Sequence, residues 1–359
     1  MDNQMISSRQ LACVTGLFII GGLSLSNVGS DSGRDAWFGM LVATLAASLL
    51  AILYGRISSL YSTRDIFEII RSVFGRWLGW LIILAVTLYS FRIGILSLRG
   101  FPEFVQATSM PNTPRIIFIM LIGLVCAYMA RQGVSAFGKI SALFAVITVL
   151  VVIATSMMLI PNMDIENLRP ALATRPEVLG KSALAILAAP LGESVLMLCF
   201  FCQLKPGSNR QKTYLFGVLF GAGILLISIL RNIMTLGAGN MASLFFPSYS
   251  AVSIINIGDF FHRVEVMAAS YLLLCDIVKV AVAIYVTSLG ISKLFLVDDY
   301  KKIVFPLTWL MIGASALGFD SAMELFGWQM EYVYFALPLQ IILPFIVWIW
   351  GEGHKAKLA

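Results

Sequence analysis

The sequence predicts an all-α polytopic membrane protein of ten transmembrane helices, with helices 1 and 6 broken and two five-helix halves forming a 5+5 inverted repeat. Three observations carry this. The chain is apolar throughout: mean hydropathy is +0.90, and only 12% of its 359 residues are charged, about half the roughly 25% of soluble domains. Ten apolar runs reach the ~17–25 residues that a spanning helix needs, near 9–28, 37–55, 77–101, 115–131, 140–160, 181–204, 213–235, 264–290, 303–319 and 332–351. The first and sixth runs, which open the halves 9–160 and 181–351, are interrupted at comparable depths, as in folds that place a ligand between mirrored broken helices. Five helices is an odd number, so the second half enters from the opposite side. The whole chain, 1–359, reads as one transmembrane domain. The first run lacks a cleavage site and a preceding basic region, which argues against a secretory signal peptide.

In the first run, Gly21-Gly22 leads into Leu23-Ser24-Leu25-Ser26-Asn27-Val28-Gly29, poor helix-forming material. The glycines alternatively serve only close helix packing. After the second run, Ile66, Phe67, Ile70, Val73 and Phe74 share one face of a short amphipathic segment, Thr63–Phe74, expected to lie in the cytoplasmic interface. The sixth run contains Ala189-Pro190-Leu191-Gly192-Glu193. Proline removes a backbone donor and glycine loosens the turn. A carboxylate at bilayer depth costs at least ~2.5 kcal/mol and faces protein or a water-filled cavity. The bland alternative is a proline kink with its glutamate paired to a neighbouring helix. The stretch Leu236 to His262 is semi-apolar and punctuated by Pro, Gly and Ser, as in vestibule covers and short re-entrant helices. Trp37, Trp77, Trp80, Trp328, Trp348 and Trp350 fall near run ends as interfacial anchors. Basic residues at Arg9, Arg56, Arg64, Arg71, Arg76, Arg131, Lys139, Lys205, Arg210, Lys212, Lys293, Lys301, Lys302, Lys355 and Lys357 all fall on one side, which makes both termini cytoplasmic. The +6 net charge therefore belongs to topology rather than to nucleic-acid binding. Cys199 and Cys202 have C-x-x-C spacing, but on an apolar helix this reads as packing. No metal or other cofactor is implied.

Charges inside the runs need partners. Glu193 lies ~18 Å into the sixth run and Arg92 ~22 Å into the third, both near mid-depth. Arg92 is either the partner of Glu193 or a bidentate clamp for a ligand carboxylate. Asp276 and Lys279, three residues apart, are expected to pair structurally. Arg231 reads as an interfacial anchor near the end of the seventh run, and Arg263 and Glu265 sit at the mouth of the eighth. Free N–H groups at half-helix starts suit a carboxylate and free carbonyls suit an ammonium. Gly21, Gly22, Ser24, Ala189, Pro190, Gly192, Glu193 and Arg92 thus form a candidate receptacle for a small zwitterion such as an amino acid. A purine nucleoside or a sugar could also use such backbone.

Several of these stretches carry a resemblance. Pro190-Leu191-Gly192-Glu193 resembles the P-F-G-E signature of the endospore germination permeases, the B subunits of spore germinant receptors. Phe260-Phe261-His262-Arg263-Val264-Glu265, continuing through Asp276 to Lys279, resembles their F-x-x-R-x-E…K pattern, and Ile6-Ser7-Ser8-Arg9-Gln10 with Gly16 resembles their I-S-x-x-Q start. Leu191 replaces the usual Phe, and the aromatic usual near Asp276 is absent. The resemblance implies the LeuT-type fold of the amino acid-polyamine-organocation permeases and an amino acid ligand, commonly L-alanine. It also implies a place in the spore inner membrane and two partners, a larger A subunit and a lipoprotein C subunit. It implies that Glu193 and the breaks at Gly21-Gly22 and Pro190-Gly192 line the ligand site, and it places Arg263 and Glu265 in a signature without an assigned role.

Two readings of function compete. In one, the chain is a receptor-type permease that passes a conformational signal to its partners. In the other, it is a proton-coupled amino acid transporter with Glu193 as the proton carrier. An enzyme is disfavoured, because His262 and His354 are not spaced as metal ligands and no nucleophile–base constellation stands out.

Overall fold

A computed structural model of the chain describes residues 5–22, 30–255, 264–318 and 329–354. The helices, in chain order, are α1 (Ser8–Ile20), α2 (Ala36–Leu60), α3 (Ile66–Thr108), α4 (Arg115–Gln132), α5 (Val134–Leu159), α6 (Pro176–Ile186), α7 (Leu198–Phe201), α8 (Arg210–Leu236), α9 (Ala238–Ser243), α10 (Pro247–Ser253), α11 (Glu265–Phe295), α12 (Lys301–Leu317), α13 (Gln329–Leu337) and α14 (Leu343–Gly353). Among the described residues, eight helical segments are long and apolar enough to cross a membrane. The first and ninth predicted runs are cut shorter, at Ile20 and Leu317, close to where the described residues pause. Outward faces stay apolar: Leu45 and Leu49 on α2, Leu143 and Leu150 on α5 and Phe216 on α8 are each at least 60% exposed. Water would not tolerate so continuous an apolar belt; the chain is a multi-pass membrane protein.

Local chemistry explains the first helix. Ser7 Oγ accepts from Gln10 N at 3.3 Å and Gln10 Oε1 accepts from Ser7 N at 3.1 Å. This is a capping box, two orphan helix donors satisfied reciprocally. The I-S-x-x-Q start is therefore a helix cap, and the buried Ile6 before it bridges in parallel to Leu204. The predicted short helix is also present, from Ile66 to the break at Gly75 (φ 75°), after which α3 continues into its long apolar segment. Asp65 caps it, accepting from Glu68 N at 2.9 Å, and Lys293 of α11 pairs with both acids, at 3.2 Å to Asp65 and 2.5 Å to Glu68.

Two segments lie at the centre. In Pro176–Phe201 and in Glu265–Phe295, 83% and 78% of the most apolar window is buried, against 28% in Val134–Asn162. A helix apolar all round is an interior helix, and α11 is buried at every position from Val278 to Ser288. Close approach comes from small residues. A Cβ on Gly217 would lie 2.6 Å from Thr15 Cβ, and one on Gly221 2.8 Å from Ile19 Cβ. The G-x-x-x-G spacing of α8 thus receives α1, as expected where packing rather than hydrophobicity drives association. Gly221→Val is expected to destabilise the purified protein by about 2 kcal/mol through overpacking, read as a lowered unfolding midpoint in detergent. Gly223→Val, which meets open space, is expected to leave the midpoint unchanged. The stretch after α8 forms two short helices, α9 and α10, as its punctuation predicted. Ser248 of α10 accepts from Asn232 Nδ2 at 3.0 Å, and Phe246 and Tyr249 pack against Phe104.

A buried polar cluster between two helix breaks

The sixth segment is broken and α1 stops at Gly21-Gly22, each for a local reason; residues 23–29, into which the first run was expected to continue, lie outside the described residues. The α1 helix stops at Ile20, where Gly21 turns extended (φ −60°, ψ 139°) and Gly22 adopts φ 82°, a left-handed conformation that favours glycine. Gly21 is also needed for space, since a Cβ there would lie 2.7 Å from the Cys275 carbonyl oxygen of α11. Ser24 lies outside the described residues. In the sixth segment, α6 gives way to a π turn over Leu187–Leu191, with Ala189 extended inside it (φ −141°, ψ 116°), and then to a 3-10 stretch over Gly192–Met197. Pro190 contributes no N–H, so the ladder opens here. Side chains from other helices satisfy the freed carbonyls, as they must away from water. Gln340 Nε2 donates to Ala188 O at 2.7 Å, and Tyr214 OH donates to Ser194 O.

One ammonium joins the two breaks. Lys279 Nζ lies 2.6 Å from Glu193 Oε2 and donates to Gly21 O at 2.9 Å, with the Phe18 ring 5.4 Å away. Glu193 and Lys279 are 5% and 4% exposed. Charge and helix-end carbonyl thus meet out of reach of water, where their attraction is strong and each would be costly alone. The other carboxylate oxygen, Glu193 Oε1, accepts from Tyr332 OH at 2.5 Å. From there the network continues: Tyr89 OH, 3.0 Å from Tyr332 OH, donates to it and accepts from Gln340 Nε2 at 2.7 Å, and Tyr54 OH donates to the Gln340 carbonyl at 2.6 Å. Gln340 sits in a π turn, Pro338–Ile342, a helix irregularity that recurs at functional sites. Its Oε1 is buried with no hydrogen-bond partner among the described residues, and a Cβ on Gly192 would fall 2.3 Å from it. The gap that glycine leaves is therefore closed by an amide carrying a free acceptor.

Two expectations are corrected, and one of the two alternatives for Arg92 falls away. Asp276 and Lys279 do not pair: Lys279 turns to Glu193 and the Gly21 carbonyl, while both carboxylate oxygens of Asp276 lie buried without a hydrogen bond among the described residues. A carboxylate plus an open helix end outcompetes a single acid one turn away. Arg231 is no interfacial anchor. It is 1% exposed, and it donates to Thr155 Oγ1 at 3.3 Å and twice to Asn232 Oδ1 at 3.2 and 3.3 Å. Arg92 is not the ion-pair partner of Glu193; it stacks over the Tyr332 ring at 5.4 Å and so meets the site at one remove. Glu265 opens α11, fourteen residues and roughly 21 Å from Lys279, and is remote from the breaks. Arg263 lies outside the described residues. Tyr89, Tyr332 and Gln340 are not singled out by the sequence reading, although a glutamine two residues after a proline inside an apolar run is a readable signal.

Comparison with known proteins places the chain in a family. A family model described as "Spore germination protein" matches residues 5–319. Spore germination protein KB of Bacillus subtilis is 27% identical over 372 aligned positions, covering 99% of this chain and 98% of that protein. Spore germination protein XB of Bacillus anthracis is 20% identical, over 91% of each chain. Among solved structures, Mhp1, a nucleobase-cation-symport-1 family transporter captured in a closed conformation with bromovinylhydantoin bound, superposes with a TM-score of 0.73 at 12% identity. The match covers 96% of this chain and 78% of that one, a likeness of fold. With a match spanning most of its length, the chain belongs to the spore germination permease family.

Proposed function

We propose that this chain is the B subunit of a spore germinant receptor, which binds a small nutrient between the two helix breaks and signals germination through A and C subunits. The nutrient is an amino acid. The observation that carries this is the Lys279 ammonium held between Gly21 O and Glu193. An amino acid brings an ammonium of the same chemistry, which competes for those two acceptors and for Gln340 Oε1. Its carboxylate is met by the displaced Lys279 or by Arg92. Seating the ligand then changes which partner Lys279 holds, and α1 and the sixth segment are released from each other. In this reading Gly21, Gly22, Ser24, Ala189, Pro190, Gly192 and Glu193 line the site. The chain spans the spore inner membrane ten times as a 5+5 inverted repeat of one permease domain, with both termini on the core side.

Spores lacking only this chain, exposed to a panel of amino acids, sugars and nucleosides, are expected to lose their response to one or a few amino acids and to keep the others. Glu193→Gln, accumulating to wild-type level, is expected not to restore the lost response. An unchanged panel after deletion would overturn the assignment. A proton-coupled transporter is the second reading, favoured by the buried carboxylate and the transporter fold. Steady uphill uptake of the same amino acid by the chain alone in proteoliposomes would select it.

A further inference from the structure

A groove on the outer wall of the protein, away from the helix breaks, combines an apolar trough with a basic mouth. It has a volume of 460 Å³ and runs between α1, α5 and α8, lined among others by Arg9, Cys13, Ala142, Val146, Val149 and Phe220. That size lies within the ~300–1,000 Å³ of small-molecule sites. Apart from Arg9 its lining is apolar, and Val146 is 57% exposed toward the surroundings.

The three walls run in the same direction. Gly217 packs on Thr15 and Gly221 on Ile19, so α8 advances in step with α1, and Gly138 of α5 packs on Ile6 and Gln10. Arg9, Lys139 and Lys212 therefore lie at one end of the groove. Each also begins a stripe that continues along a groove wall at helical spacing: Arg9 to Cys13, Lys139 to Ala142 and Val146, Lys212 to Phe216 and Phe220. None of the three side chains makes an ion pair or hydrogen bond among the described residues.

We propose that this groove is a binding site for an anionic phospholipid, with one acyl chain lying along the α1–α5–α8 trough and the phosphate held by Arg9, Lys139 and Lys212. Charge complementarity selects this occupant. A zwitterionic lipid would fill the trough equally well but brings its own cation beside the phosphate, so it adds no net charge to offset the three at the mouth, and an apolar helix offsets none of them. A lipid in this place braces α1, the helix that ends at Gly21, from the side opposite Lys279.

The test uses the full chain purified in detergent, with Cys202→Ser so that Cys13 is the one cysteine not buried. Dioleoylphosphatidylglycerol is expected to raise the unfolding midpoint and to slow maleimide labelling of Cys13 at least fivefold, while dioleoylphosphatidylcholine is expected to do neither. Each basic residue replaced by Gln should weaken phosphatidylglycerol about fivefold, following ~1 kcal/mol per juxtamembrane charge. Arg9→Gln/Lys139→Gln/Lys212→Gln should abolish its effect without moving the lipid-free midpoint. Val146→Trp, at an exposed position, should block protection of Cys13 by filling the trough. Equal effects of the two lipids, or an undiminished phosphatidylglycerol effect in the triple variant, would overturn the proposal. So would protection of Cys13 only when other proteins of the spore membrane are present, which would make the groove a seat for a partner helix.

Discussion

Lys279→Met is expected to destabilise the protein by about 3–5 kcal/mol, the usual cost of leaving one member of a buried ion pair without its partner. The side chain is 5% exposed and its ammonium lies 2.6 Å from Glu193 Oε2, so water cannot take its place. The deletion strands two acceptors at once, the Glu193 carboxylate and the Gly21 carbonyl at the end of α1. Glu193→Gln removes the complementary charge and strands the ammonium, with only the carbonyl left to it. The double variant Glu193→Gln/Lys279→Met is expected to be more stable than Lys279→Met by about 2 kcal/mol or more, because an uncharged amide beside Tyr332 needs no counterion. Chemical unfolding of the detergent-purified single and double variants closes this cycle. Additive losses would mean that the two groups do not interact, and would remove the tie between the breaks.

Gly21→Val is expected to abolish the germination response and to destabilise the protein by about 3 kcal/mol, the upper range for overpacking. A Cβ at this position would lie 2.7 Å from the Cys275 carbonyl oxygen and 2.9 Å from Lys279 Cβ. Backbone on one side and the rooted end of a lysine on the other leave little that can yield. The helices α1 and α11 must separate, and Lys279 loses its acceptor. Its neighbour provides the control. Gly22 has φ 82° and meets only the flexible end of Lys279, 3.1 Å away at Nζ. Gly22→Ala should therefore cost the ~1–2 kcal/mol of left-handed backbone strain, and Gly22→Asn, which tolerates that conformation, less. Comparing response and unfolding midpoint across the three variants separates close approach from backbone freedom as the reason for the Gly-Gly pair. Similar behaviour of Gly21→Val and Gly22→Asn would remove the steric account.

How much of the site could be read from the chain depends on the kind of interaction. The breaks were legible because proline and glycine act on their own backbone. Gly21-Gly22 and Pro190-Leu191-Gly192 open the helix wherever it packs, and the structure opens there. The short helix before Gly75 was legible from its one-sided apolar pattern. The choice of partner was not. Asp276 and Lys279 are neighbours in sequence and were expected to pair, yet the distance that matters runs across 86 residues, from Lys279 to Glu193. Arg231 looked like an anchor because its run nears its end there, but α5, α10 and α11 close over it. Tyr89, Tyr332 and Gln340 carry no formal charge and are unremarkable inside apolar runs until α3 and the last helical segment meet, which brings Tyr332 and Gln340 each within hydrogen-bond distance of Tyr89.

By itself the amino-acid sequence determined that the chain is a bundle of apolar helices in a bilayer, which two of them are interrupted, and that a carboxylate sits at one interruption. Those properties follow from hydropathy, from segment length and from the backbone chemistry of single residues. Only the tertiary structure decided that a lysine of α11 ties both interruptions together, and that a glutamine and two tyrosines surround the carboxylate. Such pairings are settled by which helix faces meet at van der Waals distance, and that depends on packing between segments far apart in the chain.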